Sequence, residues 1–350
     1  MNTLLIRADA TTEIGTGHVM RCLALAQGWR EQGGRAVFLS HCDSDSLRLR
    51  IAREGIDCIP LENRYSNGGD LEEFEQNERH TLRSRQWVAI DGYHFNAGYQ
   101  ERIKEAGYKL LCIDDYGHAD KYYADIILNQ NISADAQWYR KRESYTRILL
   151  GPRYALLRRE FRSQRPQGRE FPEMARKVLV TMGGSDPDNV TLKVVQALQQ
   201  IDIPGLEIRI IAGSSNRHIE ALNEALQSSA GNFHLLTDVS DMPQQMTWAD
   251  LAISAGGSTC WELAYMGVPF CCVVLADNQL QLAKTLHERG IAINLGWYHE
   301  MDEPTFVEPI LHLSANRRQR RAMSRQGKQL IDGNGVQAVV AALHAYGRRR

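Results

Sequence analysis

Apolar runs of strand length, separated by amphipathic stretches, recur along almost the whole chain, from TLLIRA near the start to FCCVV in the last third. A strand covered on both faces reads as a continuous apolar run, and parallel neighbours need a helical crossover between them. The alternation therefore predicts an α/β fold with parallel sheets. In the first half, strands are expected at Thr3 to Ala8, Arg35 to Ser40, Trp87 to Asp91, Lys109 to Asp114 and Ile126 to Leu128. The second half repeats the theme at Val178 to Met182, Glu207 to Ala212, Phe233 to Leu236, Leu251 to Ser254 and Phe270 to Val274. Both halves open on a strand that runs into glycines. After Gly17, the residues Val19, Leu23, Ala26 and Arg30 stand at helical spacing, and Gly33-Gly34 supplies a stop.

A chain of 350 residues exceeds what one hydrophobic core organises, so two domains are expected. The apolar pattern lapses over a charged, Pro-containing stretch. The expected division is a first Rossmann-like domain over 1–150, a linker over 151–176 and a second over 177–350, with the last helix free to pack back on the first.

The net charge of −1 gives no global positive field, which argues against a nucleic-acid partner. The basic stretch Asn316 to Ile331 reads as a solvated helix face. MNTLLIRADA lacks the pattern of a secretory signal, and the 7 cysteines have neither zinc nor disulfide spacing. The expectation is a cytoplasmic protein with reduced thiols. No apolar run reaches the roughly 18 residues of a membrane span, so no membrane insertion is expected. Monomer is the default.

Three glycine-rich turns carry the chemistry. In Glu13-Ile14-Gly15-Thr16-Gly17-His18 the glycines Gly15 and Gly17 allow a tight turn and close ligand approach, and His18 falls in the first turn of the following helix. A positive helix end disfavours imidazolium, so His18 is placed to act as a neutral base, or else simply to cap the helix. Thr181-Met182-Gly183-Gly184-Ser185-Asp186 repeats the arrangement, with Ser or Asp available as a cap. Ser254-Ala255-Gly256-Gly257-Ser258-Thr259-Cys260-Trp261-Glu262 is the most informative. Gly257, Ser258 and Thr259 would open a helix whose amides and hydroxyls suit a diphosphate, and Glu262 can accept from a ribose diol. Thr259 and Glu262 also have capping-box spacing. Asp277-Asn278-Gln279 follows a strand at the end where parallel sheets bind ligands. Asp91, Asp114 and Asp115 end strands without metal-ligand spacing and read as turn caps, so no metal and no cofactor is expected.

These segments resemble the hydrolases of pseudaminic acid biosynthesis that act on UDP-2,4-diacetamido-2,4,6-trideoxy-β-L-altropyranose. The resemblance spans nearly the whole chain. It is carried by RADATTEIGTGHVMRCLALA at Arg7 to Ala26, IDGYHF at Ile90 to Phe95, ILNQN at Ile127 to Asn131, LGPRYALLRREF at Leu150 to Phe161, TMGGSDPDN at Thr181 to Asn189 and SAGGSTCWELAYMGVP at Ser254 to Pro269. The second half also resembles the nucleotide-binding half of the glycosyltransferase that makes lipid II. The resemblance implies a GT-B architecture, two Rossmann-like domains facing across a cleft. It implies His18 as catalytic base, Tyr93 and Asn278 near the sugar, uracil at the backbone near Val239, Ser258 and Thr259 on the diphosphate, and Glu262 on the ribose. Gly15, Gly17, Gly183, Gly257 and Gln279 complete the expected substrate site. Where the family usually reads DDLADR, this chain has Asp114-Asp115-Tyr116-Gly117-His118-Ala119. The expected partner is a UDP-sugar and the expected reaction is metal-independent hydrolysis with inversion. The alternatives are an inverting glycosyltransferase of the same architecture and a non-catalytic sugar-nucleotide binder, which would have no need of His18.

Overall fold

The computed structural model describes residues 2–61, 86–213, 215–227 and 231–347. They divide into two compact units. The first comprises Met1–Thr11, His18–Arg159 and Gly333–Arg350, and the second Thr12–Gly17 and Glu160–Asp332.

The first unit is built on β1 (Thr3–Ala8), β2 (Arg35–Ser40), β3 (Asp57–Pro60), β4 (Trp87–Asp91), β5 (Lys109–Ile113), β6 (Ile126–Asn129) and β7 (Arg147–Leu150). Its helices are α1 (Gly17–Glu31), α2 (Asp45–Arg53), α3 (Ala97–Glu105), the start of α4 (Arg159–Ser163) and, from the far end of the chain, α12 (Gly335–Gly347). The strands form one sheet in the order β3-β2-β1-β4-β5-β6-β7, and each neighbouring pair is parallel. Alternation along β1 explains the two covered faces. Leu4 and Ile6 pack in one core with Val19 and Leu23 of α1 and Val336, Val340 and Leu343 of α12. Leu5 lies in the other core with Val88, Ile90 and Ile103.

The second unit contains β8 (Lys177–Thr181), α5 (Val190–Gln199), β9 (Glu207–Ala212), α6 (Ile219–Gln227), β10 (Asn232–Thr237), α7 (Met242–Trp248) and β11 (Leu251–Ala255). It continues through α8 (Thr259–Met266), β12 (Phe270–Val274), α9 (Asp277–Glu288), β13 (Ala292–Trp297), α10 (Glu303–Ala315) and α11 (Arg317–Leu330). Its six-stranded sheet has the order β10-β9-β8-β11-β12-β13, again parallel throughout.

In both sheets the chain builds outward from the first strand, then returns to its other side. The order therefore reverses between β1 and β4, and between β8 and β11, and loops at the carboxyl ends of those strands diverge to leave a crevice. His18 begins the helix after β1, Asp91 ends β4, and Gly256-Gly257 follows β11.

Residues of segment 151–176, which holds the boundary between the units, are held by contacts within each unit. The Arg159 amide donates to Gln27 Oε1 at 2.7 Å, Phe161 and Ala175 are buried, and Arg169 donates to the Met246 carbonyl at 2.6 Å. The basic stretch exposes Arg317, Arg318, Arg321 and Arg325, as a solvated face does, and Arg320 departs from it. Arg320 is fully buried and donates to the Leu313 carbonyl at 2.7 Å, which also accepts from the Asn316 amide at 3.3 Å. Within the first unit, α12 lies so close that a Cβ on Gly335 would come 2.2 Å from the Ala155 carbonyl oxygen. Among the described residues no helix is long and apolar enough to cross a membrane.

Candidate active site

The first turn of α1 carries His18 and, three residues on along the same face, Arg21. Both meet Asp91, which closes β4 and is wholly buried. His18 Nδ1 lies 2.6 Å from Asp91 Oδ1. Arg21 donates from Nε to Asp91 Oδ2 at 2.6 Å and from Nη2 to Asp91 Oδ1 at 2.6 Å. Burial alone would raise the Asp91 pKa, but Arg21 and then His18 outweigh it and hold the carboxyl below its ordinary range. An ionised carboxylate only accepts hydrogen bonds, so in a neutral ring Nδ1 is the donor, with Arg21 Nη2 3.3 Å from it, and the lone pair is on Nε2. This is the arrangement that a histidine base requires. The dominant neighbour of the ring is thus a carboxylate from another strand.

Arg21 continues to a second carboxylate, donating from Nη1 to Asp115 Oδ1 at 2.8 Å and from Nη2 to Asp115 Oδ2 at 2.9 Å. Asp115 also accepts from Tyr93 Oη at 2.7 Å and from Asn131 Nδ2 at 2.8 Å. Burial first, and then the Asp115 charge, push the Tyr93 pKa far up, so the phenol stays protonated. Its proton is committed to Asp115. The Tyr93 and His18 rings meet edge-on, 5.1 Å between centroids. Two carboxylates and one guanidinium leave a negative balance beside the imidazole, which suits a ring that gains positive charge as it takes a proton.

The turn-cap expectation therefore fits Asp114 but not Asp91 or Asp115. Asp114 Oδ1 accepts from the amides of Asp115, Tyr116 and Gly117 at 2.6, 3.1 and 3.2 Å. It also meets His118 Nδ1 at 3.1 Å. Arg21, Asp91, Asp115 and Asn131 were missing from the expected site. Their one trace in the sequence is that Asp91, Asp115 and Asn131 fall at or just past strand ends.

In the second unit Thr259 does not hold the N-cap position that its spacing to Glu262 would allow. Ser258 holds the N-cap position in a helical conformation (φ −59°, ψ −23°) and its side chain makes no cap hydrogen bond, so Thr259 is already the first helical residue. The amide end of α8 is thereby not closed by Ser258. The two glycines before it differ in role. A Cβ on Gly256 would sit 3.0 Å from Gln279 Cβ, whereas one on Gly257 would meet nothing within 4 Å, which leaves a ligand room to approach the backbone. Gln279 Oε1 accepts from the amides of Gly256 at 3.2 Å and Leu275 at 3.0 Å, so this residue ties the turns after β11 and β12 together. Asn278 lies in the first turn of α9, Glu262 in that of α8, and Val239 in the turn between β10 and α7.

The turn after β8 is used differently. Asp186 accepts from the amides of Val190 at 2.8 Å and Thr191 at 2.9 Å, so a carboxylate of the chain itself fills the start of α5. Gly183 is exposed, with space about it. Gly15, grouped in this same unit, would bring a Cβ within 3.3 Å of Ser185 Oγ, and a Cβ on Gly184 would lie 2.1 Å from Thr16 Oγ1. Close packing of these two turns demands glycine at position 184. Gly17 opens α1 with nothing near its own Cβ position.

The two parallel sheets, each with a reversal of strand order, give the chain the GT-B fold. Residues 178–337 match the glycosyltransferase family 28 C-terminal domain. The chain is 28% identical over 342 residues to the spore coat polysaccharide biosynthesis protein SpsG of Bacillus subtilis, covering 97% of this chain and 96% of that protein. It is 25% identical over 292 residues to the UDP-2,4-diacetamido-2,4,6-trideoxy-beta-L-altropyranose hydrolase of Campylobacter jejuni, covering 83% of this chain and 98% of that enzyme. The solved UDP co-structure of S. aureus MnaA superposes with a TM-score of 0.71 at 12% identity, over 99% of this chain and 97% of that one.

Proposed function

We propose that this protein hydrolyses a UDP-linked diacetamido-trideoxy sugar to the free sugar and UDP, as a step of pseudaminic acid biosynthesis. The observation that carries the reading is His18 Nδ1 held 2.6 Å from buried Asp91, which reserves Nε2 as a proton acceptor. Water attacks the anomeric carbon while its proton passes to His18 Nε2. The bond from that carbon to the diphosphate oxygen breaks, and configuration inverts. Asp91 orients the ring and meets the charge it gains.

The leaving UDP belongs, on this reading, to the second unit. Amides at the start of α8, with the hydroxyls of Ser258 and Thr259, meet the growing diphosphate charge, and Glu262 accepts from the ribose. Tyr93 and Asn278 serve the sugar, Val239 the uracil, and Gly15, Gly17, Gly183 and Gly257 keep the backbone approachable. Gln279 acts through the turns it joins. The Campylobacter jejuni relative bears the name of this hydrolase, which supports the substrate class.

An inverting glycosyltransferase is the second reading, favoured by the family 28 domain match. The two separate on one assay: UDP release from the sugar nucleotide, in chelator, with and without an alcohol acceptor. Release without acceptor is expected. Release that depends on an acceptor selects the glycosyltransferase, and full activity of His18→Ala removes the base from both.

A further inference from the structure

Tyr116 is 44% exposed and Trp138 36% exposed on adjoining parts of the first unit. Single exposed aromatics are ordinary. These are not isolated. The Tyr116 ring lies 5.0 Å from that of Tyr93, which in turn lies 5.1 Å from His18. Trp138 abuts the next residue, since a Cβ on Gly117 would fall 2.8 Å from Trp138 Cβ.

The loop that presents Tyr116 is fixed. Buried Asp114 gathers the amides of residues 115, 116 and 117, and Gly117 adopts φ +79°, a conformation costly for any other residue. The backbone that carries the ring is thus fixed, with the ring against Tyr93. Hydroxyl groups of a sugar gain little from an aromatic face, whereas C–H and methyl groups pack on it.

We infer that Tyr116 determines specificity at this site: its ring, seated on Tyr93, packs against apolar substituents of the sugar held at His18, an acetamido methyl or a deoxy carbon, and selects such sugars over fully hydroxylated ones. The inference rests on the reading of the His18 surroundings as a sugar site. It does not depend on hydrolysis.

The test is titration calorimetry of the wild type, Tyr116→Ala and Tyr116→Phe with three probes: UDP, UDP-glucose and UDP-N-acetylglucosamine. The wild type should bind the acetamido sugar nucleotide more tightly than the hydroxylated one. Tyr116→Ala should cut that preference about tenfold, the scale of a methyl-sized apolar contact, while leaving UDP affinity unchanged. Tyr116→Phe should keep the preference. An unaltered preference in Tyr116→Ala, an equal weakening of all three probes, or a wild type without preference overturns the inference. Because the readout is binding, a failure to release UDP in the hydrolysis assay counts against the proposed reaction and not against this role.

Discussion

The two switch points share a topology and differ in what stands at them. In the first unit β4 ends on a buried carboxylate, and α1 begins with an imidazole and a guanidinium that converge on it. In the second, β11 ends on alanine with two glycines after it, and α8 begins with hydroxyls and no side-chain cap from Ser258. Burying charge carries a desolvation cost that only dense mutual pairing offsets, and the pairing fixes every atom in place. Glycine and backbone amides impose no such geometry, but they let an anion come close. On the proposed function, the difference means that one sheet arrangement serves reaction at one site and anchorage at the other, according to which side chains occupy equivalent strand ends.

If that division is right, damage to the charged end should reach turnover and damage to the backbone end should reach affinity. The largest effect is expected of His18→Ala, which should lower kcat about 10³- to 10⁴-fold in steady-state assays while UDP affinity stays near its original value. Asp91→Asn should follow at about 10²- to 10³-fold, because an amide can hold the ring in the wrong tautomer. A kcat within about twofold of wild type in either variant would break the comparison.

The charged end should also betray itself in acid. The folded pKa values of Asp9, Asp91 and Asp114 are all depressed. Burial opposes the shift in each and is outweighed, by His94 and Arg7 for Asp9, by Arg21 and His18 for Asp91, and by His118 and Tyr122 for Asp114. A depressed carboxyl gives stability that is complete above its unfolded pKa of about 3.9 and is lost as pH falls through the folded value. All three lie in the first unit. Hydrogen exchange at pH about 3 should therefore rise in its strands before it rises in those of the second, and uniform protection would refute the contrast.

At the other end, Glu262→Gln should weaken UDP binding about tenfold by calorimetry, with kcat retained, as expected for one hydrogen bond to a charged group. The smallest effect sharpens the contrast between the two helix starts of the second unit. Asp186→Asn should cost about 1 kcal/mol in denaturant unfolding, the worth of a helix cap, without altering UDP affinity. A large loss of affinity would mean that α5, and not only α8, meets the ligand.

Most of the scaffold was legible because its inner strands are covered on both faces and read as unbroken apolar runs. The strands not anticipated, β3, β7 and β13, all lie at sheet edges. Asp57-Cys58-Ile59-Pro60 shows how little signal such a strand keeps: its ends are exposed and the Pro offers no amide to the ladder. His18 could be singled out by its place after two glycines. Asp91 could not be joined to it, since the partners are 73 positions apart and nothing local records the pairing. Thr259 and Glu262 show the opposite failure, a local pattern correctly spaced for a cap that the helix, starting one residue earlier, does not use.

The chain leaves the first unit after Arg159 and re-enters it at Gly333, so α12 supplies a core wall to strands made at the other end of the polypeptide. During synthesis, the opening sheet would wait with one apolar flank uncovered while the intervening 160–332 stretch matures. The half begun first is closed only by residues after Asp332, and a chain cut short there would carry a finished insert in an unfinished host.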